Sequence, residues 1–185
     1  MKKNLILDPR SLFPILLILF ISCTFNYGET DSSSENMPNL IMKNVEYVRV
    51  QSGDPLARVV AEYAERYEKK SLMTLENLYF EQFGEKGDEV NVYGRAGYAQ
   101  IETDSGDLFL DGGVMIDVRT EEIALETFHL EWKDQSRILS GGDHDEVYIY
   151  RRDGSGFTGA GLRIDARRRT WEFSNGVWGT YIHEE

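Results

Sequence analysis

The sequence predicts an all-β fold, and three observations carry that prediction. Beyond Pro38, apolar and polar residues alternate with the period of two that half-buried strands require. The alternation is punctuated at turn points by Ser105-Gly106, Gly141-Gly142 and Asp153-Gly154. A weak internal repeat accompanies both: Ala64 precedes Asn77-Leu78, Ala99 precedes Gly113-Val114 and Leu162 precedes Gly176-Val177, each at a spacing of 13–14 residues. Units recurring in this way imply stacked β-layers with apolar inner faces and two unpaired edges, one at each end.

In chain order, the first element is an export segment. Lys2, Lys3 and Arg10 precede an apolar run from Leu12 to Ile21, and Ser22-Cys23 follows. A basic head, a short apolar stretch and a small residue before the cleavage point describe a secretory signal. Ten apolar residues make about 15 Å of helix, half of a bilayer's hydrocarbon thickness. Cys23 stands where a bacterial lipobox cysteine accepts a diacylglycerol, although Phe20 replaces the usual leucine. The alternative is a short uncleaved anchor; both readings tether the body to a membrane. The expected organisation is therefore a signal or lipoprotein anchor over 1–23, a flexible tether over 24–37 and a β-domain over 38–185.

Within the β-domain, Leu56, Val59, Val60, Tyr63, Ala64 and Tyr67 satisfy a helical spacing as well as a strand. The repeat decides for a strand. Val90 and Val92 open a strand running to Ala99 and Ile101. Leu108, Leu110, Gly112, Val114, Ile116 and Val118 alternate with polar or outward residues, and Ala124, Phe128, Leu130 and Trp132 are expected on one face. Val147–Tyr150 is β-rich, Trp171-Glu172-Phe173 alternates, and Asn175-Gly176 predicts a tight turn before Val177.

Composition excludes several function classes. The net charge is −12, and losing Lys2, Lys3, Arg10 and Asp8 with the export segment makes the rest −14. Nucleic-acid backbones would be repelled by such a chain. From residue 147 on, the six arginines Arg151, Arg152, Arg163, Arg167, Arg168 and Arg169 outnumber the five acids. That quarter either meets a separate partner or is an unevenly solvated surface. With Cys23 the sole cysteine, no intrachain disulfide or cysteine-rich metal site exists. Asp143-His144-Asp145-Glu146 reads as a solvated turn, because four adjacent side chains cannot converge on one ion. His129 and His183 read as isolated. Gly154-x-Gly156-x-x-Gly159 lacks the following helix that a dinucleotide site needs. No nucleophile–base pair is evident, so no catalytic residue, metal or cofactor is assigned. Arg167-Arg168-Arg169 would either meet lipid phosphates or an acidic partner, or blunt a sheet edge.

Several stretches, in order, resemble the LptC family of lipopolysaccharide transport proteins, relatives of the bridge protein LptA. They are Asn39–Glu46, Val59–Glu65, Leu75–Phe80, Leu110–Val114, Leu125–Thr127 with Leu130–Trp132, Gly154–Leu162 with Asp165, and Trp171–Val177 as a closing hairpin. The resemblance spans about residues 38–182 and implies a twisted open β-jelly roll of two antiparallel sheets, of the OstA/LptA kind. It also implies a non-enzymatic role at the periplasmic side of the inner membrane. Lipopolysaccharide or lipooligosaccharide would come from the inner-membrane ABC transporter, facing the N-terminal strand Val45–Val50. It would pass to an LptA-like periplasmic bridge, facing the C-terminal strands Trp171–Ile182. LptC proteins usually carry a transmembrane helix, so the anchor inferred here departs from the family.

The residues expected to line the lipid trough are Val59, Ala61, Tyr63, Leu78, Phe80, Ala99, Ile101, Leu108, Leu110, Val114, Ile116, Phe128 and Phe173, with Cys23 as the lipid anchor. A closed, dry β-sandwich in a structural or adhesive lipoprotein demands the same alternation. Only the resemblance favours the trough.

Overall fold

The computed structural model describes residues 36–84 and 86–182. The expected anchor over 1–23, with Cys23, and most of the tether over 24–37 lie outside the described residues.

Twelve strands follow one another: β1 (Leu40–Gln51), β2 (Asp54–Tyr67), β3 (Leu72–Phe83), β4 (Val90–Glu102), β5 (Leu108–Asp111), β6 (Val114–Val118), β7 (Ile123–Thr127), β8 (Leu130–Lys133), β9 (Ile138–Ser140), β10 (Glu146–Arg151), β11 (Gly156–Asp165) and β12 (Thr170–Thr180). The ambiguous Leu56–Lys69 stretch is strand β2, closed by a 3₁₀ turn at Glu68–Lys70. Local propensity left that choice open; pairing with β1 and β3 on both sides settles it.

All the pairings are antiparallel, and the long strands serve two walls at once. β4 pairs β6 through Val92–Arg95 and β5 through Tyr98–Ile101. β11 likewise pairs β10 through Gly156–Ala160 and β9 through Arg163–Asp165. Wall A therefore runs β4-β6-β7-β10-β11, and wall B runs β4-β5-β8-β9-β11. β1, β2 and β3 extend both walls at one end, and β12 does so at the other.

A slip in the alternation marks the fold line between the walls. Within a strand, same-face residues should be two apart. Here the buried pairs Ala61/Ala64, Leu75/Leu78 and Ala96/Ala99 are three apart. Asn44 (φ 51°) and Asn77 (φ 50°) sit at the slip in β1 and β3, where asparagine tolerates the left-handed conformation better than other side chains. Gly161 (φ 68°) and Gly176 (φ 66°) do the same in β11 and β12. The slip turns one strand's inner face from wall A to wall B.

This geometry corrects two expectations, at Asn175-Gly176 and at Phe128. Asn175-Gly176 is not a tight turn and does not close a hairpin at Trp171–Val177. β12 runs straight through it, and Gly176 is the extra residue of a bulge opposite Gly159 and Ala160. The alternating run Leu108–Val118 is two strands, β5 and β6, and Gly112-Gly113 crosses between the walls. Phe128 does not share a face with Leu130 and Trp132. It lies in the connection from β7 to β8, 63% exposed.

The seam depends on small residues. A Cβ added at Gly97 would lie 2.9 Å from the Gly112 carbonyl oxygen and 3.3 Å from its Cα. Backbone cannot swing aside as a side chain can, so Gly97→Val should cost about 1–3 kcal/mol in denaturant unfolding. Wild-type stability with valine there would mean that the seam widens freely.

Three aspartates tie the loops. Asp107 accepts the Asp134 N–H (2.9 Å) and pairs with Lys133 Nζ (3.2 Å). Asp153 accepts the Ser155 N–H, and Asp165 those of Arg168 and Arg167. These backbone donors hold all three carboxyls below their ordinary range. A depressed folded-state pKa adds stability above the unfolded value and loses it as pH falls through the folded one. Thermal stability should therefore be level from neutral pH to about pH 5 and fall below about pH 4. Asp107→Asn should flatten that slope; an unchanged acid limb would remove Asp107 from the account.

Candidate lipid-lining site

Register places the inner faces residue by residue. On wall A one row runs Tyr47, Val59, Phe80, Gly94, Ile116, Leu125, Ile149, Phe157 and Gly179 through consecutive cross-strand pairs. The row nearer the fold line includes Val45, Ala61, Leu78, Ala96 and Val114. On wall B the corresponding row is Met42, Ala64, Leu75, Ala99, Leu110 and Leu130, with Leu162 and Phe173 beyond. Its outer row is Leu40, Arg66, Met73, Ile101, Leu108, Trp132, Leu139, Ile164 and Trp171.

Burial falls with distance from the fold line. Ala61, Ala64, Ala99, Leu130, Val147 and Leu162 are sealed there. Val59, Phe80, Ile101, Leu108, Ile116 and Ile164 pack on this core only partly buried. At the free ends, Tyr47 is 61% and Trp171 46% exposed. The two inner faces thus meet at the fold line and reach solvent at the lips and ends. Apolar side chains stabilise by about 25 cal/mol per Å² removed from water. A half-exposed apolar lining therefore leaves apolar area that contact with a further apolar group would remove from water.

Of the thirteen residues expected to line this space, Val59, Ala61, Leu78, Phe80, Ala99, Ile101, Leu108, Leu110, Val114, Ile116 and Phe173 belong to the inner cluster. Tyr63 and Phe128 do not. Tyr63 follows the slip in β2 and faces outward, where its hydroxyl donates to Glu65 (2.9 Å), raising the phenol pKa. Phe128 stands beside Glu126 and Tyr148 on the outside. The inner cluster also holds residues not among the thirteen, including Met42, Leu75, Leu125, Leu130, Leu139 and Ile164, whose faces only the strand register assigns.

The aromatic rings compensate for glycines. A Cβ at Gly94 would lie 2.4 Å from the Phe80 ring, so that ring occupies the space of the missing side chain. Phe173 covers Gly159 in the same way. The spacing Gly154, Gly156 and Gly159 therefore serves a turn and strand β11, with no helix following.

Outward faces carry the acids and their partners. Tyr79, Tyr93, Tyr148 and Tyr150 donate to Glu81, Asp117, Glu146 and Glu126. Three hollows of about 520, 420 and 640 Å³ lie along the outside of the fold line, where β5/β6, β7/β8 and β9/β10 are interrupted. Their lining is mixed, with Asn77, Arg95, Glu126 and Asp143 beside Leu78, Val114 and Phe173. His129 is not isolated: its Nδ1 pairs with Asp145 Oδ2, holding the 141–145 turn against the start of β8, and Phe109 packs on its ring. His183 lies outside the described residues. Arg167–Arg169 form the tip of the β11–β12 hairpin, with Arg167 donating to the Gln135 carbonyl (2.6 Å) and Arg168 paired with Asp165.

Among the described residues the sheet has a free edge on both sides: there β1 pairs only β2, and β12 pairs only β11. Both edges expose large apolar residues, Tyr47, Val48 and Val50 on β1 and Trp171, Val177 and Trp178 on β12. Among the described residues no helix is long and apolar enough to cross a membrane.

Comparison with known proteins agrees with this architecture. The family model described as "Lipopolysaccharide-assembly, LptC-related" matches residues 14–182. An uncharacterised protein of Treponema pallidum (strain Nichols) is 24% identical over 173 residues, covering 91% of this chain and 86% of that protein. LptH from Pseudomonas aeruginosa, described as the LptA-homologous periplasmic component of the conserved lipopolysaccharide transport device, superposes with a TM-score of 0.53 at 10% identity. It covers 69% of this chain and 95% of its own. That likeness identifies the bent double wall as the LptA-like β-jelly roll.

Proposed function

The chain belongs to the LptC-related lipopolysaccharide-assembly family, and on that premise we propose that it is a non-enzymatic carrier within lipopolysaccharide transport. It takes acyl chains of lipopolysaccharide or lipooligosaccharide between its walls. Each methylene moved from water into that lining is worth about 0.8 kcal/mol. β1 faces the inner-membrane ABC transporter and β12 faces an LptA-like bridge, each by edge-to-edge strand addition. Cys23 carries the lipid that anchors residues 38–185, through the tether at 24–37, on the periplasmic side of the inner membrane. The observation that carries this reading is the pairing of a half-exposed apolar lining with two free strand edges. A structural or adhesive sandwich would have both edges capped.

Site-specific photo-crosslinking in cells tests it. A crosslinker at Ile116 or Phe80 should capture the glycolipid, whereas one at Tyr63 or Phe128 should not. Equal capture at all four positions, or none, would remove the trough from the mechanism. Palmitate labelling lost in Cys23→Ala would establish the anchor.

A further inference from the structure

Charge is nearly absent from the inner faces, and what remains has one sign. The outermost inner row of wall A begins at Arg49, passes Ala57, Gln82, Val92, Val118 and Ile123, and ends at Arg151. On wall B the charged member of the outermost row is Arg66, between Leu40 and Met73. No acid occupies any of these rows. Glu46, Glu65, Glu81, Asp117 and Glu126, on the same strands, alternate to the other face. In a chain of net charge −12 this segregation runs against composition. Arg151 is partly engaged by Asp153 at 3.5 Å. No ion pair engages Arg49 or Arg66 among the described residues, and both are exposed. They lie at the same end of the trough, β1–β2, one on each lip.

We propose that Arg49 and Arg66, one on each lip at the β1–β2 end, make that end an anion-binding mouth for the phosphate or carboxylate head of an acyl-chain ligand whose tails lie between the walls. The proposal rests on the carrier reading and adds to it the residues that read the head group and the orientation of the cargo. An arginine fork matches phosphate and carboxylate geometry with paired, charge-assisted hydrogen bonds. Its methylene stem can lie on an apolar lining while the guanidinium stays at the water boundary. Acids on the same lip would repel the head group, and register puts them on the opposite face. The head group thereby rests at the β1 end, with the chains pointing along the walls.

The test uses the full chain and displacement of the fluorescent probe N-phenyl-1-naphthylamine by three twelve-carbon amphiphiles below their micelle-forming concentrations. These are dodecyl phosphate, dodecanoate and uncharged dodecyl maltoside. At low salt, dodecyl phosphate should bind about tenfold more tightly than the maltoside, a gain of the size one charged hydrogen-bonding site supplies. Arg49→Gln with Arg66→Gln should bring that ratio to about one and leave maltoside affinity unchanged. Arg58→Gln, on the outer face and paired with Glu46 and Glu81, should leave the ratio as in wild type. Far-ultraviolet circular dichroism checks that each variant is folded. A gain shared by dodecanoate identifies charge as the feature read, and one confined to the phosphate identifies the phosphate; either supports the mouth. Equal binding of all three by wild type, or a preference surviving in the double variant, overturns the mouth and leaves the carrier reading standing. Failure of every amphiphile to displace the probe overturns both.

Discussion

Replacing Leu130 by alanine is expected to lower folding stability by about 3 kcal/mol, whereas replacing Phe128 two residues earlier should change it by no more than about 0.5 kcal/mol. The contrast runs against side-chain size. Leu130 is completely buried where β8 leaves the fold line, paired with Leu110. Shrinking it opens a cavity that both walls would have to move together to fill, and β4 and β11, running through both walls, resist that movement. Phe128 has its ring in solvent, so truncating it removes few contacts. Urea unfolding of the two variants, compared at equal slope, measures the difference. Comparable losses would mean that the inner and outer faces have been assigned to the wrong residues around the slip.

That slip explains how far the sequence could be read. Alternation, the weak repeat and the resemblance together placed strands beyond Pro38, and eleven of the thirteen residues expected on the lining belong to the inner cluster. Strict alternation also carried the sequence 59, 61, 63 onto one face, and there it failed. β2 steps by three at Glu62 and Tyr63, and Tyr63 turns out to its hydrogen bond with Glu65. Phe128 failed for a related reason, since a large aromatic between two buried residues looks like core until the connection across the fold line is known. Asn175-Gly176 is chemically indistinguishable from a hairpin turn. Only the pairing of β11 on both sides of Gly176 reveals a bulge. The spacing of Ala64 from Asn77 was a true signal, but of bends within strands, not of turns between them. Segregated arginines were invisible as well, because assigning Arg49 and Arg66 to a lip requires the register of β1, β2 and β3. The partner of His129 was hidden by sequence distance: Asp145 lies in a turn that Gly141 and Gly142 fold back onto β8.

The other large effect tests the proposed docking of the bridge protein on the β12 edge and of the transporter on the β1 edge. Substituting Trp178→Lys together with Thr180→Lys should weaken binding of an LptA-like bridge protein by about thirtyfold, the loss that removing one central aromatic from an interface produces. Both residues are exposed on the last strand and share one face, so the fold should keep its unfolding midpoint within a few degrees. Strand addition draws on backbone groups along the whole edge, and side chains set whether a partner strand can approach. Paired lysines at an edge act as natural sheets use them, to stop a second strand from docking. The matching change at the opposite edge, Val48→Lys, should leave bridge binding unaltered and weaken association with the transporter instead. Pull-down and titration of both variants against both partners separate the two edges. If Val48→Lys abolishes bridge binding and the β12 lysines do not, the direction assigned to the carrier is reversed. The arginine mouth at the β1–β2 end would then face the exit and not the entrance.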